Sequence, residues 1–172
     1  PIPRTFTATL YGQFDISQLE EFPQGEQNIE TYWVSESRRE DVYETIAPRL
    51  EEGDQAFIVC PSIEESESHD LQAAKELKQQ LENTQLKDFD LGLLHGGMSE
   101  TDKKEVVDSL ARGELDALVA TTVIEVGMDI PQVNLMVIEQ ADRFGLTQLH
   151  QLRGRIGRSG QEALCFAIAS PE

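Results

Sequence analysis

The sequence predicts an α/β fold in which a mainly parallel sheet carries helices on both faces. Short runs that are apolar at nearly every position alternate along the chain with segments whose apolar residues recur at helical spacing. Strands that are apolar on both sides belong to sheets covered on both faces, and such sheets are typically parallel. With 172 residues and no internal repeat or convincing linker, the chain is predicted to form one domain.

Six segments are predicted strands, because each is short and bounded by turn-forming or charged residues. They are residues 28–34, 56–60, 90–94, 115–120, 135–139 and 163–169. The run Ala56-Phe-Ile-Val-Cys60 is apolar throughout and is the clearest of them.

Three helices are predicted between these strands from their apolar spacing, at residues 37–52, 69–81 and 99–111. Ser37 is a candidate N-cap with Glu40 three residues later, and Ser99 with Asp102 has the spacing of a capping box. Pro48 disfavours a regular helix in the last turns of the first segment.

The charge balance excludes a generic basic nucleic-acid binder. The net charge is −18, from 32 acidic and 14 basic residues, and the five lysines all lie between Lys75 and Lys104. A polyanion would be repelled by such a surface as a whole. Any contact with nucleic acid is therefore expected to be local, through clustered arginines and backbone amides.

The remaining composition indicates a protein of a reducing compartment, and we expect the cytoplasm. No apolar run approaches the length needed to span a membrane, so no membrane partner is predicted. The first residues lack the order of a signal peptide, and the chain is expected to be a piece of a longer polypeptide. Cys60 and Cys165 lie in apolar runs and are expected to be buried free thiols.

The segment Gln151-Leu-Arg-Gly-Arg-Ile-Gly-Arg158 is the strongest candidate for binding a polyphosphate. Residues 143–161 contain four arginines and no carboxylate. Guanidinium groups bind phosphate oxygens through a two-pronged fork, and glycine allows the tight turns that such a loop requires. Taken alone, the spacing is equally consistent with a basic surface loop.

Polar residues follow the predicted strand at 115–120, where ligands bind in parallel sheets. Thr121 and Thr122, with neighbouring amides, could hold a phosphate of a nucleic-acid backbone. Gly127 permits close approach of a ligand, and Asp129 could accept from a ribose hydroxyl. Strand termination and helix capping explain the threonines equally well, and a turn explains Asp129.

Two further predicted strands end in candidate residues. His95-Gly96 follows the strand at 90–94, and Pro61-Ser62 follows the strand at 56–60. No acid or nucleophile is spaced to form a triad with His95, so a hydrogen-bonded loop histidine is the better interpretation. The acidic run at 64–67 has no partner ligands, and no metal site is predicted.

Two motifs of a complete ATPase are missing. The chain contains no Gly-Lys dipeptide, and hence no P-loop, and no Asp-Glu dipeptide of the usual Walker-B type. The arginines would sense a phosphate that another part of the protein must hold.

The order of these motifs resembles the second RecA-like lobe of superfamily 2 helicases. His95-Gly96, then Thr121 to Asp129, then Gln151 to Arg158 look like motifs IVa, V and VI of that family. Pro1-Ile-Pro-Arg-Thr and residues 141–155 resemble both RecG-type and transcription-repair coupling translocases, whereas residues 33–39 and 60–67 resemble RecG-type helicases specifically. The resemblance implies a three-layer RecA-like fold of the P-loop NTPase type. It makes residues 1–36 a leading segment after motif III and residues 37–172 the lobe itself.

The resemblance also implies function: an ATP-dependent DNA helicase that remodels stalled forks and Holliday junctions. ATP with Mg²⁺ would be bound mainly by a first lobe of the same polypeptide. That polypeptide would also contain a separate DNA-binding domain. Arg155 and Arg158 would reach the γ-phosphate, with Arg158 the arginine finger, Gln151 positioning them, and Gly127 and Asp129 contacting nucleotide. The branched DNA would be contacted by Thr121, Thr122, Pro61, Ser62, His95 and Gly96.

Two alternatives stay open: the equivalent lobe of a transcription-repair coupling factor, and a non-catalytic nucleotide-binding α/β module.

The chain also ends before the translocation motif that follows motif VI in the family could be completed. Arg143 and Arg153 lie outside the Gly-Arg spacing, and Arg153 is predicted to be dispensable for basal turnover.

Overall fold

The computed structural model describes residues 29–61, 67–121, 133–157 and 162–170. Its strands form one six-stranded sheet in the order β1-β6-β5-β2-β4-β3. They are β1 Ile29–Ser35, β2 Gln55–Val59, β3 Leu91–Leu94, β4 Ala117–Ala120, β5 Val133–Ile138 and β6 Ala163–Ala169. Every pair of neighbouring strands is parallel, which confirms the predicted fold class.

In the described ranges, four α-helices lie between the strands. They are α1 Arg39–Glu51, α2 Glu67–Asn83, α3 Glu100–Ala111 and α4 Leu146–Arg153. Single 3₁₀ turns at Glu36–Arg38 and Ala141–Arg143 precede α1 and α4. Among the described residues, no helix is long and apolar enough to cross a bilayer.

The alternation of side chains along each strand builds two cores, one on each face of the sheet. In β2, Phe57 and Val59 belong to the core that also contains Leu110 of α3 and Leu152 of α4. Ala56 and Ile58 of the same strand belong to the other core, together with residues of α1 and α2. A strand with both faces covered must be apolar at successive positions, which explains the continuous apolar run at 56–59.

The starts of two helices differ in how well the sequence predicted them. Ser99 caps α3 as predicted, because its Oγ accepts the Asp102 amide at 3.1 Å. The prediction for Ser37 is wrong: it lies in the 3₁₀ turn, and α1 begins at Arg39 without a side-chain cap. Pro48 is accommodated inside α1, where its carbonyl accepts the Glu52 amide at 3.1 Å.

The strand β1 lies within the predicted leading segment, yet it is part of the sheet. It pairs with β6 along its whole length, from Ile29 opposite Ala163 to Ser35 opposite Ala169. The division of the chain at residue 36 remains a prediction.

Candidate functional site

Four of the predicted contact residues lie at one edge of the sheet. Because the strands are parallel, their carboxyl ends share an edge, and β2, β4 and β3 are neighbours there. Pro61 follows β2, Thr121 follows β4, and His95 with Gly96 follows β3. The Thr121 amide donates to the Leu94 carbonyl at 3.1 Å, which extends the ladder to the point where the candidates begin.

His95 is a neutral hydrogen-bonding residue in this setting. Its side chain is half-buried, and its pKa is lowered, first by burial and then by the nearby charges of Lys75 and Lys103. The His95 carbonyl accepts the Met98 amide at 3.2 Å, so the loop turns immediately after it. Gly96 beside it is exposed, and the role of His95 stays a prediction.

Thr121 is 3% exposed, so it presents little surface to a ligand. Its position at the end of β4 is consistent with strand termination, and equally with a contact to a nucleic-acid backbone. Pro61 is half-buried beside the end of β2. Ser62, Thr122, Gly127, Asp129 and Arg158 lie outside the described residues.

The arginine-rich segment begins on the last turn of α4. Gln151 is exposed there, while Leu152 packs into the core. The Arg155 amide donates to the Leu152 carbonyl at 2.9 Å, which continues the helical turn past Gly154. The Arg155 side chain is half-buried, and no described residue pairs with its guanidinium. Such a group suits an anionic ligand.

The loop after α4, whose described residues are 154–157 and which we call the arginine loop, is fixed by Ile156 and Gly157. Ile156 is fully buried, and the Gly157 amide donates to the Val133 carbonyl at 3.3 Å. Gly157 has φ +75°, which strains any residue with a side chain. A Cβ at this position would also lie 3.1 Å from Ile29 Cγ1 and 3.2 Å from Ala163 Cβ. The loop therefore requires glycine for two separate reasons.

The candidate residues fall at opposite edges of the sheet. Gly157 contacts the first residues of β1, β5 and β6, whereas Pro61, Thr121 and His95 follow the carboxyl ends of strands. β5 has six residues, so the two edges are about 17 Å apart at about 3.3 Å per residue. A single ligand that contacts the backbone at both edges would have to span this distance. Two ligands, one bound at each edge, are the simpler arrangement.

Sequence analysis missed a buried ionic cluster at the end of β5. Glu139 accepts from Arg39 Nε at 2.8 and 3.0 Å and from the Tyr43 hydroxyl. The Arg39 guanidinium also lies over the Tyr43 ring, 5.2 Å from its centre. A carboxylate directly after an apolar strand was the only signal in the sequence, and its partners lie 96 and 100 residues away.

This cluster borders a cavity of about 450 Å³ at the carboxyl ends of β5 and β2. Burial and the Glu139 carboxylate raise the Tyr43 pKa well above its ordinary value. Burial opposes the charge on Arg39, yet the attraction of Glu139 keeps the Arg39 pKa raised. The Arg39–Glu139 ion pair lines this side of the cavity, whereas the fully buried Tyr43 does not.

Both cysteines are buried free thiols, as predicted. Burial, reinforced at Cys60 by Glu139, raises the Cys60 pKa to about 12, and burial raises the Cys165 pKa to about 11. A protonated thiol is a poor nucleophile and a poor metal ligand. Within the described part of the chain, no group of three or more His, Cys, Asp or Glu residues could hold a metal ion.

The chain matches one protein family over most of its length. Residues 37–160 match the helicase conserved C-terminal domain. The chain is 46% identical over 168 residues to the ATP-dependent DNA helicase RecG of Thermotoga maritima, which covers 98% of this chain and 22% of that protein. It is 41% identical over 172 residues to RecG of Bacillus subtilis, covering 100% of this chain and 25% of that protein.

A solved structure of RecG bound to a three-way DNA junction is similar over the whole chain. The identity is 43%, the TM-score is 0.78, and the match covers 100% of this chain and 22% of the other. The chain thus spans about a quarter of the length of the relatives it matches. Because its family model covers residues 37–160, this chain belongs to the helicase conserved C-terminal domain family, and its similarity to RecG helicases extends over nearly its whole length.

Proposed function

We propose that the chain is the second motor lobe of an ATP-dependent DNA helicase that remodels branched DNA such as stalled forks and Holliday junctions. The observation that carries this proposal is the likeness over the whole chain to RecG bound to a three-way junction. The identity of 46% to a RecG helicase favours this lobe over that of a transcription-repair coupling factor.

In this proposal, ATP with Mg²⁺ is held mainly by the first lobe, and this chain supplies one wall of the site. ATP provides the phosphoryl group that is transferred to water, and arginines stabilise the charge on that group in the transition state. The guanidinium of Arg155, which pairs with no described residue and lies on a loop fixed by Ile156 and Gly157, fits this role. Arg158 is the proposed finger, with Gln151 positioning the group.

The nucleotide and the DNA are proposed to have separate contacts. Gly127 and Asp129 contact the nucleotide. DNA phosphates are contacted along the carboxyl edge, where neutral groups and backbone amides can bind them without base specificity. The residues proposed for this edge are Pro61, Ser62, His95, Gly96, Thr121 and Thr122. The neutral state of His95 makes it a hydrogen-bonding contact rather than a cation.

The test is steady-state ATP hydrolysis by the full-length protein with saturating branched DNA. We expect Arg158→Lys to lower kcat by about 1,000-fold or more while KM for ATP changes little. Lysine keeps the charge but cannot bind two oxygens with a planar fork, and that contact matters most in the transition state. Arg155→Lys should show the same pattern with a smaller loss.

The matched control is Arg112→Lys. Arg112 is exposed at the end of α3 and pairs with Glu114 at 2.8 Å, so its replacement should leave kcat unchanged. Near-normal kcat in both Arg155→Lys and Arg158→Lys would contradict the proposed roles. A full-length protein that binds ATP but hydrolyses none with branched DNA would instead support a non-catalytic nucleotide-binding module.

A further inference from the structure

Arg153 joins the end of α4 to the edge strand β1. Its Nε donates to Thr31 Oγ1 at 2.9 Å, and its Nη2 donates to the Ile29 carbonyl at 3.2 Å. These partners lie 122 and 124 residues away in the sequence. Among the described strands, β1 pairs with β6 alone, so Arg153 provides a second attachment for the beginning of β1.

The same part of β1 borders the arginine loop. The side chain of Ile29 lies against Gly157, where an added Cβ would approach Ile29 Cγ1 to 3.1 Å. The Arg153 carbonyl accepts the Ile156 amide at 3.5 Å, and Ile156 is fully buried. Arg153 and Gly157 therefore both lie against Ile29 at the start of β1. They flank residues 154–156 in the sequence, and these residues include Arg155.

We propose that Arg153 is a positioning residue for ATP hydrolysis: it fixes the loop that presents Arg155 by holding that loop against Ile29 and Thr31 of β1. The inference rests on the proposed function, because it assigns how one arginine of that site is placed. Arg153 itself contacts no reacting group. Its two acceptors diverge, one a side-chain hydroxyl and one a backbone carbonyl, so a guanidinium can bind both whereas an ammonium on a flexible stem holds them less rigidly.

This assignment replaces the interpretation from sequence that Arg153 is dispensable. Its position outside the Gly-Arg spacing argued against a role, but the spacing contains no information about β1. A catalytic group displaced by about 1 Å can lose about 100-fold in rate, so an indirect attachment is enough to affect turnover.

The experiment measures ATP hydrolysis by full-length protein carrying Arg153→Lys, Thr31→Val, or both, with saturating branched DNA. We expect Arg153→Lys to lower kcat about tenfold, with KM for ATP within about twofold of wild type. Thr31→Val removes one acceptor, keeps a β-branched side chain in the strand, and should lower kcat by a smaller factor. The double variant should lose less than the product of the two single losses, because both changes act on the contact between Arg153 and Thr31.

Arg49→Lys is the matched control for a merely structural effect. Arg49 has the same kind of attachment, to the Asp54 side chain and to the Glu162 carbonyl at 3.1 Å, but neither partner belongs to residues 154–157, the described part of the arginine loop. Arg49→Lys should lower the melting temperature about as much as Arg153→Lys and leave kcat unchanged.

Three outcomes would overturn the inference: unchanged kcat in Arg153→Lys, equal losses of kcat in Arg49→Lys and Arg153→Lys, or multiplicative losses in the double variant. Arg155→Lys measured alongside separates this inference from the function on which it rests. If Arg155→Lys loses kcat and Arg153→Lys does not, only the positioning role fails. If neither loses kcat, the proposed function of the loop fails as well.

Discussion

At the scale of single residues, Glu139 is a buried carboxylate whose charge requires polar partners. Its side chain is 10% exposed, and a charge removed from water is tolerated only with good partners. Arg39 and the Tyr43 hydroxyl supply them. Because these partners are both on α1, the cluster fixes the start of that helix against the end of β5.

We expect Arg39→Met to destabilise the chain by about 3 kcal/mol, since it leaves the Glu139 charge buried with only the phenol as partner. Glu139→Gln alone should cost less, because the amide is neutral and still accepts from Tyr43. The Arg39→Met/Glu139→Gln double variant should be more stable than Arg39→Met. Urea unfolding of the three variants measures this, and a double variant that shows the sum of both losses would contradict the coupling.

At the scale of elements, the arginine loop depends on a backbone conformation rather than on side-chain contacts alone. Gly157 and Gly53 both have positive φ, +75° and +97°. An added Cβ meets Ile29 and Ala163 at Gly157, whereas nothing lies within 4 Å at Gly53. The two glycines therefore separate the effect of backbone strain from the effect of crowding.

Gly53→Ala should cost about 1 kcal/mol, from strain in the left-handed region. Gly157→Ala should cost at least about 1 kcal/mol more, because the methyl group must displace β1 or β6. Urea midpoints with unchanged slopes would report these differences. Equal losses of unfolding free energy in the two variants would show that Ile29 and Ala163 move away from the added methyl group without a measurable loss of stability.

The inner strands β2, β4 and β5 were predicted from their apolar runs, because both of their faces are buried. The predicted run at 56–60 and the observed strand Gln55–Val59 differ by one residue at each end. The strand order, by contrast, depends on pairing between distant segments, such as β1 with β6. Local sequence patterns do not predict such pairing.

The helix α4 was not predicted as an element, and its composition explains why. Leu152 is buried and Leu149 packs against the core, but Leu146 is 81% exposed. The apolar stripe is thus too short to reveal a helical period. Its start is held by the Gly145 amide donating to Gln148 Oε1 at 3.0 Å, a cap that lacks the usual Ser, Thr, Asp or Asn signal.

At the scale of the whole molecule, the charge balance opposes a polyanion, although Lys75 and Lys103 lie near His95. The net charge is −18. At the carboxyl edge, Pro61, Gly96 and Thr121 are uncharged, and His95 has a lowered pKa. Arg155 follows α4 near the opposite edge. These contacts can orient a DNA backbone, but they neutralise few of its phosphates.

We therefore expect this chain, produced alone, to bind a three-way junction at least about 100-fold more weakly than the full-length protein at about 0.15 M salt, because affinity for DNA comes mainly from neutralised phosphates. It should also hydrolyse no ATP, since the arginines stabilise charge on a phosphate that another lobe must hold. Fluorescence anisotropy with labelled junction and a coupled ATPase assay measure both. Tight junction binding by the isolated chain would show that its own contacts are sufficient for affinity, and turnover that survives Arg155→Lys and Arg158→Lys would show a complete site within this chain.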